Sequence, residues 1–391
     1  MRALQSRSTA KILFAGFVLF SISISPSRTG GLSAQTAHPA TQEHRHFEEA
    51  VSKFMAATAA PGVSAAVVEN AQEVWSGGFG KADLENSVSA TSDTLYRLGS
   101  VSKPITATAA MELWERGKLD LDAPVEKYCP AFPPKQWPIT TRELLGHLGG
   151  IRHYKASEDK ADLANDLEID NTRHFDDSIA GGLQFFASDP LVAQPGTQFH
   201  YSTQGFTLVG CAIEGASGET YVNFVRQNVF APAAMNHTQP DDHYRIISHR
   251  TRFYRKDESG KVENAGFLDS SYKIPGGGWL SSVDDLAQFE IALLADHLLE
   301  PATREIMWTR QKTTDGKPTS YGLGWGVGST DGVPDVDHSG GQQGTSTFIM
   351  IVPERRAGVV VLANMEGVDA GALASQLMKI ALGAPAADPV K

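Results

Sequence analysis

Cysteine is nearly absent: Cys129 and Cys211 are the only two in 391 residues. Two cannot build a disulfide framework, and their spacing does not say whether they pair. Cys211 stands in Leu208-Val-Gly-Cys-Ala-Ile213 and reads as a small buried apolar residue. Positive charge is also short, with 34 Lys and Arg against 45 Asp and Glu and a net charge of −11. That balance argues against nucleic acid and anionic membranes as partners. The apolar run Ile12–Ile24 has thirteen residues, fewer than the roughly 20 that a spanning helix needs. No Gly-x-Ser-x-Gly segment occurs, which argues against an α/β-hydrolase esterase. No internal repeat or low-complexity linker is evident either.

What remains is the profile of a soluble globular chain, 41% hydrophobic and 20% charged. It has room for one large domain or two. Met1–Ala34 stands apart: Arg2, Arg7 and Lys11 precede the apolar run, and small and polar residues follow. This layout predicts a secretory signal peptide and an exported, periplasmic or extracellular protein. Its Arg and Ser content without any acid keeps an organelle transit peptide as the alternative. Leu32-Ser33-Ala34 is a fair cleavage site, and the lack of a cysteine there argues against a lipid anchor. Removing these residues, four of them basic and none acidic, takes the charge from −11 to −15.

Chemistry enters at Leu98-Gly-Ser100-Val-Ser-Lys103-Pro104. Serine and lysine three apart on a helix share one face, with Cβ atoms about 5–6 Å apart. A serine hydroxyl attacks only when a base takes its proton, and an unprotonated lysine can do that. The spacing occurs four times, at Ser8/Lys11, Ser100/Lys103, Ser157/Lys160 and Ser270/Lys273. Ser8 lies in the targeting segment, and Ser157 lies in a charged stretch without apolar periodicity. Ser270 precedes Ile274-Pro-Gly-Gly-Gly278, where proline and glycine forbid a helix of any length. Only Ser100 opens a helix that is apolar nearly all round, Ile105 to Leu119, and such a helix is buried. Burial is what the lysine needs: bringing its pKa near 7–8 takes roughly 3–4 kcal/mol. The bland reading is a helix cap with an ordinary lysine one turn on.

The rest of the chain predicts an α/β (α+β) protein. Helical patterns cover Thr41–Thr58, Thr141–Leu145, Gly205–Glu214, Tyr221–Arg226, a start at Ser282, and Val368–Leu382. Strands are expected at Gly62–Glu69, Val74–Gly80, Tyr321–Val327, Ser346–Val352 and Gly358–Ala363. Hairpin connections imply a largely antiparallel sheet flanked by helices. Residues 41–119 and 270–385 would form an α/β domain, with 120–269 a mainly helical inserted lobe. Lys155–Asn171 reads as a charged exposed excursion. His44-Arg-His46 on an exposed first turn reads as solvated surface rather than a metal site.

Three segments in order, Ser100-x-x-Lys103, Tyr201-Ser-Thr203 and His338-Ser339-Gly340-Gly341, resemble the motifs of the penicillin-recognising serine enzymes. Leu144–Tyr154, Pro195–Tyr201, Gly276–Ser282 and Val359–Asn364 sharpen the likeness to the class C β-lactamase-like hydrolases, in the branch of the mitochondrial serine β-lactamase-like protein. It spans about Phe47 to Leu382. A literal Tyr221-Val-Asn223 reads instead as the first turn of an ordinary helix.

The resemblance implies a β-lactamase/D,D-peptidase-like fold. Ser100 would be acylated. Lys103 would take its proton or keep Tyr201 basic, and Tyr201 would relay the proton to the leaving group. The N–H groups of Ser100 and Gly341 would form the oxyanion hole, glycine allowing close backbone approach. His338-Ser339-Gly340 would be an edge strand beside the substrate. No metal or organic cofactor is implied. Thr203 stands where asparagine is usual, and His338 where lysine is common. A largely neutral imidazole anchors a substrate carboxylate poorly. The expectation is therefore a serine hydrolase cleaving an amide, first a peptide, or an ester. A β-lactamase or D,D-peptidase is the runner-up, and a catalytically silent binding or scaffold protein is the alternative of another class. If His338 titrates, activity should inflect near pH 6–7. Partners would be a small-molecule or peptide substrate, with no stable membrane anchor after signal removal and an oligomer allowed.

Overall fold

Asn70 and Ala71 both adopt positive φ, 51° and 57°, and this two-residue turn matches the twist of a tight hairpin. It joins β1 (Gly62–Glu69) to β2 (Gln72–Asp83), which follow helix α1 (Gln42–Thr58). The computed structural model describes residues 42–154, 174 and 179–383. The expected targeting segment and the Lys155–Asn171 excursion lie outside them. Among the described residues, no helix is long and apolar enough to cross a membrane.

Short strands β3 (Val88–Ser89) and β4 (Tyr96–Arg97) lead to α2 (Ser102–Glu115). Then come α3 (Thr141–Leu145), α4 (Thr203–Ser217), α5 (Tyr221–Val225), β5 (Gln239–Pro240), β6 (Tyr254–Lys256) and β7 (Val262–Asn264). The chain continues through α6 (Ile274–Gly277), β8 (Trp279–Ser281), α7 (Val283–Leu294), α8 (Pro301–Trp308) and β9 (Gly326–Thr330). It ends in β10 (Val333–Gln342), β11 (Thr345–Val352), β12 (Ala357–Ala363) and α9 (Ala370–Ala381).

The main sheet has seven strands in the order β3-β2-β1-β12-β11-β10-β9, every pairing antiparallel. N- and C-terminal strands meet at its centre, where Val63 faces Ala363 and Val68 faces Gly358. Both faces of this centre are covered. Ala66, Val68, Val360 and Leu362 join the larger core with α2, α4 and α7. Val63, Ala65, Val67, Val359, Val361 and Ala363 point the other way, toward α1 and α9. Alternation along a strand sends neighbours to opposite faces, so two buried faces make Val359-Val-Val-Leu-Ala363 continuously apolar. A second sheet, β4-β8-β5, ties Tyr96–Arg97 to Trp279–Ser281.

Several boundaries differ from expectation. Helix α2 stops at Glu115, because Gly117 at φ 68° turns the chain and the N–H groups of Lys118 and Leu119 bond back to Leu113 O. Tyr321 precedes strand β9 rather than starting it, since the chain bends through Gly324 before pairing at Gly326. A single helical turn does form at Ile274–Gly277, with Pro275 in its first positions, where proline is tolerated. Cys211 is not a free apolar side chain: it is disulfide-bonded to Cys129, fastening α4 to the segment after Val125.

Candidate active site

Ser100 lies in a helical turn, Gly99–Val101, that runs directly into α2. Strand β4 just before it is anchored by Arg97, whose Nε donates to Asp241 at 2.6 Å and whose Nη1 donates to Gln343 O at 3.0 Å. Three residues on, Lys103 is 0% exposed. Its Nζ lies 2.8 Å from Gly276 O, 3.2 Å from Thr203 Oγ1 and 2.9 Å from Ser100 Oγ. Burial, aided by the like charge of Lys273, holds the Lys103 pKa well below that of an ordinary lysine. A neutral amine has two hydrogens and one lone pair. With the hydrogens given to Gly276 O and Thr203 Oγ1, the lone pair is left for the Ser100 O–H.

Tyr201 sits immediately before α4, whose N-cap is Ser202. Its hydroxyl is close enough to Ser100 to be favoured as a phenolate, but burial outweighs that contact and raises its pKa above the ordinary phenol value. Lys103 Nζ stands 4.8 Å from the centre of its ring. Two imidazoles hold the start of α4: Nδ1 of His147 accepts the Ser202 N–H, and Nδ1 of His153 accepts the Thr203 N–H, each at 3.1 Å. They satisfy donors that a helix start leaves orphaned, and they do so as neutral rings. Burial pulls the His153 pKa to about 3 and lowers that of His147 strongly. The His147 ring also packs 4.3 Å from that of Tyr201.

On the opposite wall, β9 pairs with β10 only as far as Asp337. From His338 onward, that edge carries no strand. Buried His338 and exposed Ser339 alternate, as do buried Gly340 and exposed Gly341. Nδ1 of His338 lies 2.7 Å from Ser339 O, an atom that only accepts, so Nδ1 carries the proton. Nε2 then accepts from the Tyr321 hydroxyl at 2.7 Å. Burial pulls the His338 pKa to about 3. A cavity of about 310 Å³ opens here, lined by Tyr201, Tyr321, Asp337, His338 and Ser339 among others.

The backbone of β10 approaches the Ser100 turn at Gly340 and at Gly341, whose N would lie 2.9 Å from a Cβ on Gly99. A Cβ on Gly340 would lie 2.1 Å from Leu98 O and 3.2 Å from Ser100 N, whereas one on Gly341 would meet nothing within 4 Å. Thr203 turns its hydroxyl to Lys103 and is buried. A pH inflection from His338 near neutrality does not fit its buried, hydrogen-bonded ring.

All eight residues singled out from the sequence thus border one site. Five others belong to the same walls. His147, His153 and Tyr154 lie in a segment quoted for its resemblance, without roles. Tyr321 gave no signal beyond strand periodicity. Lys273 belongs to a Ser-x-x-Lys pair set aside for want of a helix. It is buried, and its Nζ donates to the Tyr154 hydroxyl at 3.1 Å. The apolar flank Ile274-Pro275 was the one available hint of that burial.

A serine on a helix start, a buried lysine at hydrogen-bond distance whose charged form the site disfavours, and a phenol beside them define a serine hydrolase of the acyl-enzyme type. The family described as Beta-lactamase matches residues 47–382, and the chain belongs to it. Serine beta-lactamase-like protein LACTB, mitochondrial, of Homo sapiens is 32% identical, covering 83% of this chain and 76% of its own. Penicillin-binding protein 4* of Bacillus subtilis is 30% identical over 74% of this chain and 64% of its own. Among solved structures, the octameric penicillin-binding protein homologue from Pyrococcus abyssi superposes with a TM-score of 0.73 at 28% identity, covering 86% and 77% of the two chains.

Proposed function

We propose that Ser100 Oγ attacks a substrate carbonyl and gives its proton to Lys103 Nζ. Tyr201 then delivers its proton to the leaving nitrogen or oxygen as the carbonyl bond to it breaks, and takes the proton held by Lys103 in exchange. Water hydrolyses the Ser100 acyl-enzyme, and its proton returns through the same two groups. The N–H groups of Ser100 and Gly341 hold the oxyanion. The observation that carries this reading is the 2.9 Å contact between Lys103 Nζ and Ser100 Oγ in a site that disfavours the ammonium. Of the two roles open to Lys103, direct base fits better, because burial keeps Tyr201 a phenol.

The substrate is an amide, first a peptide, or an ester. A neutral His338 held by Tyr321 supplies no cation for a carboxylate, which weighs against an efficient β-lactamase. The Cys129–Cys211 bond supports an oxidising address and hence export; the mitochondrial relatives support the organelle alternative. The strands of the main sheet fall within 62–89 and 326–363, which supports one α/β body with 120–269 inserted.

The test is intact mass after treatment with a serine-reactive fluorophosphonate, for wild type and Ser100→Ala together. One adduct on the wild type and none on the variant is expected. No adduct on folded wild type, or equal labelling of both, would overturn the mechanism. A chromogenic cephalosporin, a nitrophenyl ester and a fluorogenic peptide then rank the substrates, with the peptide expected to turn over best. A folded protein that hydrolyses none of the three is the outcome expected of a binding or scaffold protein.

A further inference from the structure

Apart from the acylation machinery, Asp269 gathers two imidazoles. Its side chain is wholly shielded from solvent, and Oδ2 lies 2.8 Å from His174 Nδ1 and 3.2 Å from His243 Nδ1. Nδ1 of His243 is buried and makes no hydrogen bond, so the second approach is not one. One Asp–His hydrogen bond accounts for the first nitrogen and leaves the second, 3.2 Å from the same oxygen, without one. The three donor atoms lie within 4.8 Å of one another.

We propose that His174, His243 and Asp269 bind one divalent transition-metal ion of the zinc class, with water completing its shell. Two imidazoles and one carboxylate suit that class, whereas calcium and magnesium prefer all-oxygen sets. Metal–ligand distances of about 2.0–2.2 Å in a tetrahedral arrangement put donor atoms roughly 3.3 Å apart. The 2.8 and 3.2 Å separations need widen by only tenths of an ångström to reach this.

The surroundings also fit. Metal-bound carboxylates and imidazoles are themselves held by hydrogen-bonding groups behind them. Here the Ser271 N–H donates to Asp269 Oδ1 at 2.8 Å. A cavity of about 470 Å³, lined by His174, Asp242 and Ser271 among others, opens beside His174. Asp269 directly precedes the Ser271–Lys273 turn and α6, whose Gly276 carbonyl holds Lys103. The ion would thus fasten one wall of the active site while taking no part in the acyl chemistry. No spacing rule reveals the group, because its members come from three separate segments.

The test uses untagged, metal-stripped full-length protein, dialysed against Zn²⁺ and assayed for bound metal, with Co²⁺ absorption as a second reading. One equivalent is expected on the wild type and on a His44→Ala/His46→Ala double variant. His243→Ala and Asp269→Asn should each weaken binding by more than about tenfold. Zinc should also raise the wild-type melting temperature, and should not raise that of a folded His243→Ala protein. Wild type without stoichiometric metal, or His243→Ala that binds equally well, would overturn the proposal.

Discussion

The Tyr321 hydroxyl donates to His338 Nε2 at 2.7 Å, and the proton on Nδ1 is committed to Ser339 O. This pair makes position 338 a neutral positioning group rather than a cation. With its pKa near 3, His338 should not change charge between pH 5 and 8. The imidazole carbon proton shifts of His338, followed by NMR across that range, should stay flat. A titration midpoint near 6.5 would contradict the assignment.

Asp337, one residue away on the same cavity, is the group that should titrate there. Burial, reinforced by the neighbouring Asp335, raises its pKa to about 6. Below that pH the carboxyl is neutral, and above it anionic. KM for an amide bearing an ammonium group should therefore fall as pH rises through 6, and KM for one bearing a carboxylate should rise. Asp337→Asn should abolish either trend, while His338→Gln should leave it in place. Rate profiles for the two substrate types check this directly and report which charge the site accepts.

Lys103→Met should cut turnover by about 10²–10⁴-fold, the usual yield of a positioned acid–base group. A buried apolar side chain can replace a neutral amine without unfolding the helix, so thermal melts should remain cooperative. Near-normal kinetics would remove Lys103 as the base. Lys273→Met asks about its tuning: losing the like charge lets the Lys103 pKa climb. The acidic limb of kcat/KM should then move to higher pH, with the plateau rate retained at alkaline pH.

Helix α2 and the central strands were legible because their patterns are local and their burial is extreme. The run Ile105–Leu113 is apolar nearly all round because α2 is enclosed, and β1 and β12 are largely apolar because both sheet faces are covered. Ser100 and Lys103 lie one turn apart, so spacing sufficed to bring them to one face. What spacing could not show was the far side of the site. Tyr321 reaches His338 across a bend, His147 and His153 cap a helix fifty or more residues on, and Lys273 is buried by tertiary packing. Cys211 looked like any small core residue, since its partner is 82 positions away.

Glu290 on α7 supplies a stability test independent of the site. It is buried, and desolvation raises its pKa well above the usual carboxylate value. A raised folded-state pKa stabilises the fold below the unfolded value near 4.5, and that contribution is lost as pH rises toward the folded one. Glu290→Gln keeps the shape without the titration. Its melting temperature should exceed that of the wild type at pH 8, and the difference should shrink as pH falls toward 4. An equal difference at both pH values would place the effect in packing alone.

Two adjacent glycines separate shape from chemistry. At Gly340 an added Cβ would press on Leu98 O, on Thr347 Oγ1 at 2.2 Å and toward Ser100 N. Because β10 is pinned by β11 through Gly340 and Thr347, it cannot retreat without breaking the sheet. Gly340→Ala should therefore lower stability by about 1–3 kcal/mol, the cost of overpacking. It should also depress kcat by shifting Ser100. Gly341→Ala meets no such wall and has a negative φ, so its stability should match the wild type. If the Gly341 N–H holds the oxyanion, that variant should also keep its kcat, because alanine retains the N–H, and any loss should fall on KM through the methyl group facing substrate. Denaturant melts and steady-state kinetics on the two variants distinguish these outcomes. A stable Gly340→Ala enzyme with full kcat would mean that the close approach beside Ser100 is not needed for catalysis.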